Sequence, residues 1–372
     1  MFKNYFRNCI VQCYKMTIKS KIAYCLLFSM AVSLYSIAQI KTASGKIIAN
    51  EDLQKFLKRE MDSLGMPGLS LAIINDRKIV YHAALGMADI DSNKKVDDQT
   101  MFEAASLSKP VFACFVMKLV EKGLINLDKP LYKYLPNPDI DYDPRYKLIT
   151  ARMVLCHTTG LPNWRSDNKG VELNIHFTPG TQYSYSGEAY EYLANVVAHI
   201  THTGLKSLGN LFTKEIGAPM GLEHFYFTWN DYLATHKARG YYGKNGMGIW
   251  QPDIFRAASS LHTESINYAK FLIGIMDETI LKKQSIDEML KEQIVIPNDS
   301  KNSHDAFGLG FYIEQTKYGT RYSHNGSNGD FTSGFIMYPD QKSGYVFFTN
   351  CDKGGDFNKK LKAFLTEGNL PN

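Results

Sequence analysis

The chain has 372 residues, 44% of them hydrophobic and 21% charged, an ordinary globular balance long enough for one large domain or two smaller ones. Its formal charge of +5 is accounted for by Lys3, Arg7, Lys15, Lys19 and Lys21, which stand in residues 1–38 with no acid among them. The remainder is near neutral, which leaves no basic face to argue for a nucleic-acid partner.

The N-terminus reads as an export signal spanning 1–38. Basic residues precede the apolar run Ile22 to Ala38, which ends on the small-residue pattern Ser36-Ile37-Ala38. Met16 is a plausible start that gives the signal a more usual length. An uncleaved anchor is the alternative, although 17 residues is short for a membrane span. The mature chain is expected in the periplasm or outside the cell. Beyond the leader stand Cys114, Cys156 and Cys351, an odd number without paired spacing, so no disulfide framework is expected. The histidines are scattered; His199 and His202 form a close pair but no HExxH motif, and neither metal nor cofactor is expected.

Next in the chain, "NEDLQKFLKREMDSLG" predicts a helix with Leu53, Phe56, Leu57 and Met61 on one face and Gly65 as its stop. Two β-rich runs around Asn75-Asp76-Arg77-Lys78 predict a hairpin. From about Leu131 to Lys291 helical patterns and polar loops dominate, as in "EAYEYLANVVAHI". Strand-like runs return in "LGFYIEQT", "TRYSHNG", "TSGFIMYP" and "SGYVFFTN", followed by a last helix, "FNKKLKAFLTEG". The pattern predicts an α/β fold in which one antiparallel sheet, flanked by helices, is built from both ends of the chain. That sheet subdomain is expected at about 49–130 plus 292–372, with a mainly helical subdomain inserted at about 131–291.

One stretch asks for chemistry. In "EAASLSKPVFACFVMKL" Ser106 stands three residues before Lys109, where an apolar helix begins: Val111, Phe112, Phe115, Val116, Leu119 and Val120 recur at helical spacing, with Lys118, Glu121 and Lys122 opposite. Positions i and i+3 share a face, so Lys109 lies one turn from the Ser106 hydroxyl, and Pro110 falls in the first turn, where it is tolerated. Ser92 and Ser166 also precede a lysine by three residues, but in polar, turn-like segments with no apolar helix behind them. A serine hydroxyl needs a base beside it to become a nucleophile, and an ordinary lysine is protonated at neutral pH. Burial and a neighbouring positive group would lower its pKa; three units require roughly 4 kcal/mol. The bland alternative is a helix cap and a solvated amine.

Taken with other segments, this stretch resembles the superfamily of serine β-lactamases and penicillin-binding proteins. The likeness is to the branch of class C β-lactamases, D-alanyl-D-alanine carboxypeptidases and related esterases. It runs in family order through "MPGLSLAII", "GMADIDSNKKVDDQTMFEAASLSKP", "LINLDKPLYKYLP", "MVLCHTTGLPNW", "TPGTQYSYSGEAYEYL", "FGLGFYI" and "SHNGSNGDFTSGFIMYP".

The resemblance implies a serine hydrolase that forms an acyl-enzyme on Ser106 without cofactor or metal. The substrate would be an ester or amide of a small molecule or peptide. The Tyr-x-Asn station of the family reads Tyr185-Ser186-Gly187, with Tyr183 as the competing assignment; the phenol would relay the serine proton beside the lysine's charge. Gly187 departs from the pattern by lacking the carboxamide that helps hold a substrate amide, which disfavours efficient β-lactam hydrolysis. The third station reads His324-Asn325-Gly326-Ser327: Gly326 lets substrate lie along the strand, the N–H groups of Ser327 and Ser106 would form an oxyanion hole, and His324 would offer a hydrogen bond or positive charge. His157 reads as structural. Trp164, Tyr241 and Trp250 are either pocket walls or loop anchors. A class C-like β-lactamase, or a slowly deacylating penicillin-binding sensor, is the alternative function. The sequence leaves oligomeric state open.

Overall fold

A computed structural model describes residues 39–167, 172–297 and 304–368; the leader read at 1–38 lies outside them. Among the described residues no helix is long and apolar enough to cross a membrane, and the three cysteines at 114, 156 and 351 are free and buried.

The chain forms an α/β structure organised on one antiparallel sheet. Helix α1 (Asn50–Leu64) closes on Gly65, whose φ of 64° is the left-handed conformation that ends helices. Strands β1 (Gly68–Asn75) and β2 (Lys78–Asp89) follow. Only Asp76 and Arg77 join them, both at positive φ (49° and 57°). The turn is therefore tighter than the four-residue connection the sequence suggested, and its two left-handed residues match the twist of the flanking strands. A short β3 (Lys94–Lys95) extends this edge. The other strands come from the end of the chain: β4 (Ile294–Val295), β5 (Asp305–Phe307), β6 (Tyr312–Thr316), β7 (Gly319–Ser327), β8 (Thr332–Tyr338) and β9 (Ser343–Thr349). Their order is β4-β5-β6-β7-β8-β9-β1-β2-β3, so β9 pairs with β1 and joins the two ends of the chain.

Strand β1 is buried on both faces, and alternation divides its side chains. Leu69, Leu71 and Ile73 face a core shared with α1 and with α5 (Gly354–Glu367), where Phe56 stacks on Phe364 at 4.4 Å between ring centroids. Ala72 and Ile74 face the larger core, shared with α2 (Ser108–Glu121), α3 (Gly187–Ile200) and α4 (Ser265–Met276). Helix α2 is buried around its circumference from Ser108 to Met117. The polar face read from Lys118, Glu121 and Lys122 is only its last turn, where Lys118 donates to the Ile280 carbonyl and Glu121 accepts from the Lys282 N–H. A helix apolar on every side belongs inside a core, and this burial sets the chemistry of its first turn.

Truncating Phe56 to Ala removes one half of the α1–α5 stack in a fully buried site. The expected cost is about 3–5 kcal/mol, read as a lower urea midpoint at unchanged m-value.

Candidate active site

Ser106 sits in a single 3₁₀ turn (Ala105–Leu107) leading into α2. Ala105 holds φ at +48°, a conformation unfavourable for a residue with a side chain, and the surroundings keep it there. Ser108 Oγ donates to the Ala105 carbonyl at 2.6 Å and accepts the Leu261 N–H at 3.0 Å. Tyr268 donates its phenol proton to the Leu107 carbonyl at 2.9 Å, and Ser333 donates to the Ala104 carbonyl at 2.8 Å. The turn is thus fixed from α4 and β8.

Lys109 is fully buried. Its Nζ lies 3.2 Å from Ser106 Oγ and donates to the Ala258 carbonyl at 2.9 Å. It sits 4.7 Å from the Tyr185 ring centroid and 5.6 Å from that of Tyr190. Burial lowers its pKa to about 7, against an opposing pull from the Glu191 carboxylate. The positive neighbour expected to share in lowering it is absent among the groups that act on it; desolvation alone does so, and the one charged neighbour is an acid.

Glu191 escaped the sequence reading. It stands in the second turn of α3 and accepts the Ala258 N–H at 3.0 Å. Ala258 therefore binds the amine through its carbonyl and the carboxyl through its N–H. Burial raises the Glu191 pKa to about 7, opposed by the Ala258 N–H, Arg256 and Lys109. In sequence it is one more acid in a helical run, and only the fold shows that it turns inward.

Tyr185 directly precedes the cap of α3. Ser186 Oγ accepts the Ala189 N–H at 3.0 Å and donates to the Pro162 carbonyl at 2.8 Å, which fixes the turn that carries the phenol. His157 accepts the Ser186 N–H on Nδ1 at 3.0 Å, and its ring lies 4.2 Å from that of Tyr185. Fully buried, with its pKa held well below the ordinary histidine value by desolvation, His157 supports the tyrosine. Burial pushes the Tyr185 pKa up, against a lowering pull from the Ser106 hydroxyl. The expected lowering by the lysine's charge does not occur here: Lys109 faces the ring, and the phenol keeps its proton. Tyr183 packs edge-on to His157 and lines the same cleft as Ser106 and Tyr185.

On the opposite wall, β7 carries His324, Asn325, Gly326 and Ser327. A Cβ on Gly326 would lie 2.5 Å from the Ala104 carbonyl oxygen and 3.0 Å from the Ser106 nitrogen, so only glycine lets the strand close on the serine turn. Asn325 Oδ1 accepts from Asn358 on α5 at 2.9 Å. Ser327 ends the strand opposite Thr332. His324 donates from Nδ1 to the Asn325 carbonyl at 2.8 Å, and burial takes its pKa down to about 3. It is a neutral ring, which removes the positive charge considered for it and leaves Nε2 as an acceptor. Ser106, Tyr185 and His324 to Ser327 all line a cleft of about 860 Å³.

Gly187 is placed differently. It is buried, its N–H donates to Asn163, and a Cβ there would lie 2.8 Å from the Trp164 indole. Gly187, at a station expected to help hold substrate, is thus not among the residues lining the cleft, and Trp164 fills the space a side chain there would need. Trp164 and Trp250 line a second cavity. Tyr241 is an anchor: its phenol accepts the Ile90 N–H at 2.8 Å. Ser92 and Ser166 are exposed, and neither lines the cleft.

Lys109 also predicts a stability profile. The unfolded amine binds a proton below about pH 10.5 and the folded one only below about 7, so the unfolded chain holds more protons between those values and stability rises with pH across that window. The full swing is about 5 kcal/mol. Lys109→Met is expected to melt higher than wild type below pH 7, by roughly 1–4 kcal/mol, with the gap closing toward pH 10. Urea titrations at several pH values read this directly.

Known proteins resemble this chain in sequence and in fold. The family model described as "Beta-lactamase" matches residues 53–369. Protein flp of Staphylococcus aureus (strain N315) is 23% identical over 328 residues, covering 82% of this chain and 64% of that protein. Penicillin-binding protein 4* of Bacillus subtilis (strain 168) is 24% identical, covering 76% of this chain and 68% of its own length. The chain thus spans just under two thirds of the flp sequence. Among solved structures, the octameric penicillin-binding protein homologue from Pyrococcus abyssi superposes with a TM-score of 0.71 at 22% identity, covering 82% of this chain and 74% of that one. A family match over most of the chain and a shared fold place this protein in the β-lactamase family, within the superfamily of serine β-lactamases and penicillin-binding proteins.

Proposed function

We propose that the protein is an exported serine hydrolase that cleaves an ester or amide bond of a small molecule or peptide through an acyl-enzyme on Ser106. The superfamily is one of serine acyl-transferases and hydrolases, which supports a hydrolase. The observation that carries the reading is the fully buried Lys109 amine, 3.2 Å from Ser106 Oγ and titrating near pH 7. A neutral amine is a base, and this one lies within reach of the hydroxyl proton.

In the proposed cycle Ser106 Oγ passes its proton to Lys109 as it attacks the carbonyl carbon. Donors at Ser106 N and Ser327 N hold the developing oxyanion. The Tyr185 phenol gives its proton to the leaving group, and the Lys109 ammonium restores it. Water then attacks the acyl group, loses its proton to the same pair, and Ser106 Oγ departs protonated. His324, neutral, accepts a hydrogen bond from substrate. With Trp164 in place of a carboxamide above Gly187, esters and peptides are favoured over acylamino β-lactams. The basic, then apolar, leader supports export of the mature protein, and the near-neutral remainder argues against a nucleic-acid partner.

Labelling with a fluorophosphonate and a fluorescent penicillin, followed by peptide mass spectrometry, is expected to modify Ser106 and to fail in Ser106→Ala. A label on another serine, or turnover without one, refutes the assignment. Tyr185→Phe is expected to slow acylation by about 10²–10⁴-fold with folding retained. Glu191→Gln removes the charge that favours the Lys109 ammonium, so the acid limb of kcat/KM moves to lower pH. A limb left in place would show that the carboxyl does not act on the amine.

A further inference from the structure

The cavity beyond Trp164 has a volume of about 370 Å³ and is lined by Glu103, Trp164, Met247, Trp250, Asn328 and Asp330, among others. It adjoins the groups around Ser106 at three points. Trp164 rests on Gly187, two residues from Tyr185; Asn328 follows Ser327; and Ser259, also in the lining, follows the Ala258 peptide bound by Lys109. Tyr185 and His324 both line the other, larger cleft. If the phenol protonates the leaving group, that cleft takes the leaving half of the substrate, and the smaller cavity takes the half that stays on Ser106.

Its chemistry is lopsided. Glu103 is matched: it accepts from Lys237 at 2.5 Å, with both side chains no more than 3% exposed, and from Asn328 at 2.6 Å. Lys237 also donates to the Trp250 carbonyl at 3.0 Å, so this ion pair fixes two walls. Asp330 is different. It is half-buried, and among the described residues no cation lies within ion-pair distance of its carboxylate. With Glu103 and Lys237 cancelling, the cavity carries one net negative charge between indole side chains.

Two glycines make room for this arrangement. A Cβ on Gly187 would strike Trp164, and one on Gly240 would lie 2.0 Å from Asp330 Oδ2. Neither glycine has a positive φ, so space rather than backbone conformation calls for it. Indole faces with an uncompensated carboxylate bind an ammonium group well: the ring quadrupole and the carboxylate both attract it, and the low polarity of the walls strengthens both. Burial and Glu103 push the Asp330 pKa up, which a bound cation would reverse.

We propose that this cavity is the acyl-group subsite and that it selects substrates whose acyl portion carries an ammonium group, recognised by Asp330 between Trp164 and Trp250. The inference rests on the hydrolase reading above for its acyl assignment, and its test separates the two. The full chain is assayed on p-nitrophenyl 4-(trimethylammonio)butanoate and on its neutral isostere, the 5,5-dimethylhexanoate ester. The cationic ester is expected to have the higher kcat/KM by about tenfold, and the ratio is expected to collapse toward one in Asp330→Asn. A wild-type preference for the neutral ester, or a ratio unmoved by Asp330→Asn, overturns the proposal. A second arm needs no turnover: Ser106→Ala is titrated with methyl 4-(trimethylammonio)butanoate, following tryptophan fluorescence. Saturable binding, weakened about tenfold by adding Asp330→Asn, supports the subsite. Binding without turnover of either ester by the wild type would keep the subsite and overturn the hydrolase. No saturable binding, or binding indifferent to Asp330, overturns the subsite even if both esters are cleaved.

Discussion

The site depends on one costly act, the removal of the Lys109 amine from water. An ammonium in a core is disfavoured by several kcal/mol, and a protein commonly answers by pairing it or by letting it lose its proton. Here the fold does some of each. Desolvation brings the amine near neutrality, while Glu191, linked to it through Ala258, opposes the fall. The balance leaves the group titrating near pH 7, where a base is both available and strong enough to take a hydroxyl proton. Helix α2 must be apolar on every side for this to work, so the packing of the large core and the reactivity of the site are one constraint.

Around the amine the fold supplies rigidity. Ser106 is held by a turn with an unfavourable Ala105 backbone, tied from α4 and β8, and Gly326 allows β7 to lie against it without a gap. Tyr185 is set by a helix cap and a buried histidine. Ala105, Tyr268, Ser186 and His157 stand behind the cleft, whereas Gly326 and Ser333 also form part of its wall.

What could be read from the sequence follows from how local each signal is. Ser106 and Lys109 are one turn apart, so spacing and an apolar run single out the pair, while the choice between a reactive site and a helix cap with a solvated amine needed the other segments. Helix α1, its Gly65 stop and the β1–β2 hairpin are equally local. Tyr185 and His324 to Ser327 came from resemblance, since nothing nearby distinguishes Tyr185 among 23 tyrosines. Glu191 was invisible because helical periodicity does not say which single acid turns inward. The second cavity was invisible because Glu103, Trp164, Trp250 and Asp330 are far apart in the chain. Three electrostatic expectations failed, namely a positive group beside Lys109, a Tyr185 phenol lowered by the lysine's charge and a charge on His324; at all three positions desolvation by burial is the governing cause. Gly187 was noted for what it lacks, and its meaning lies in the indole it admits.

The wiring of the sheet has a bearing on how the protein comes into being. Ser333 reaches back 229 residues to brace the serine turn, Ser70 meets Ser265 across 195, and the lysine finds its carbonyl partner across 149. Contacts of such span form late, after long loops have closed. A chain still emerging from the ribosome holds the nucleophile and its base but not the walls that awaken them. Reactivity is therefore a property of the finished molecule, and a half-made copy is chemically silent.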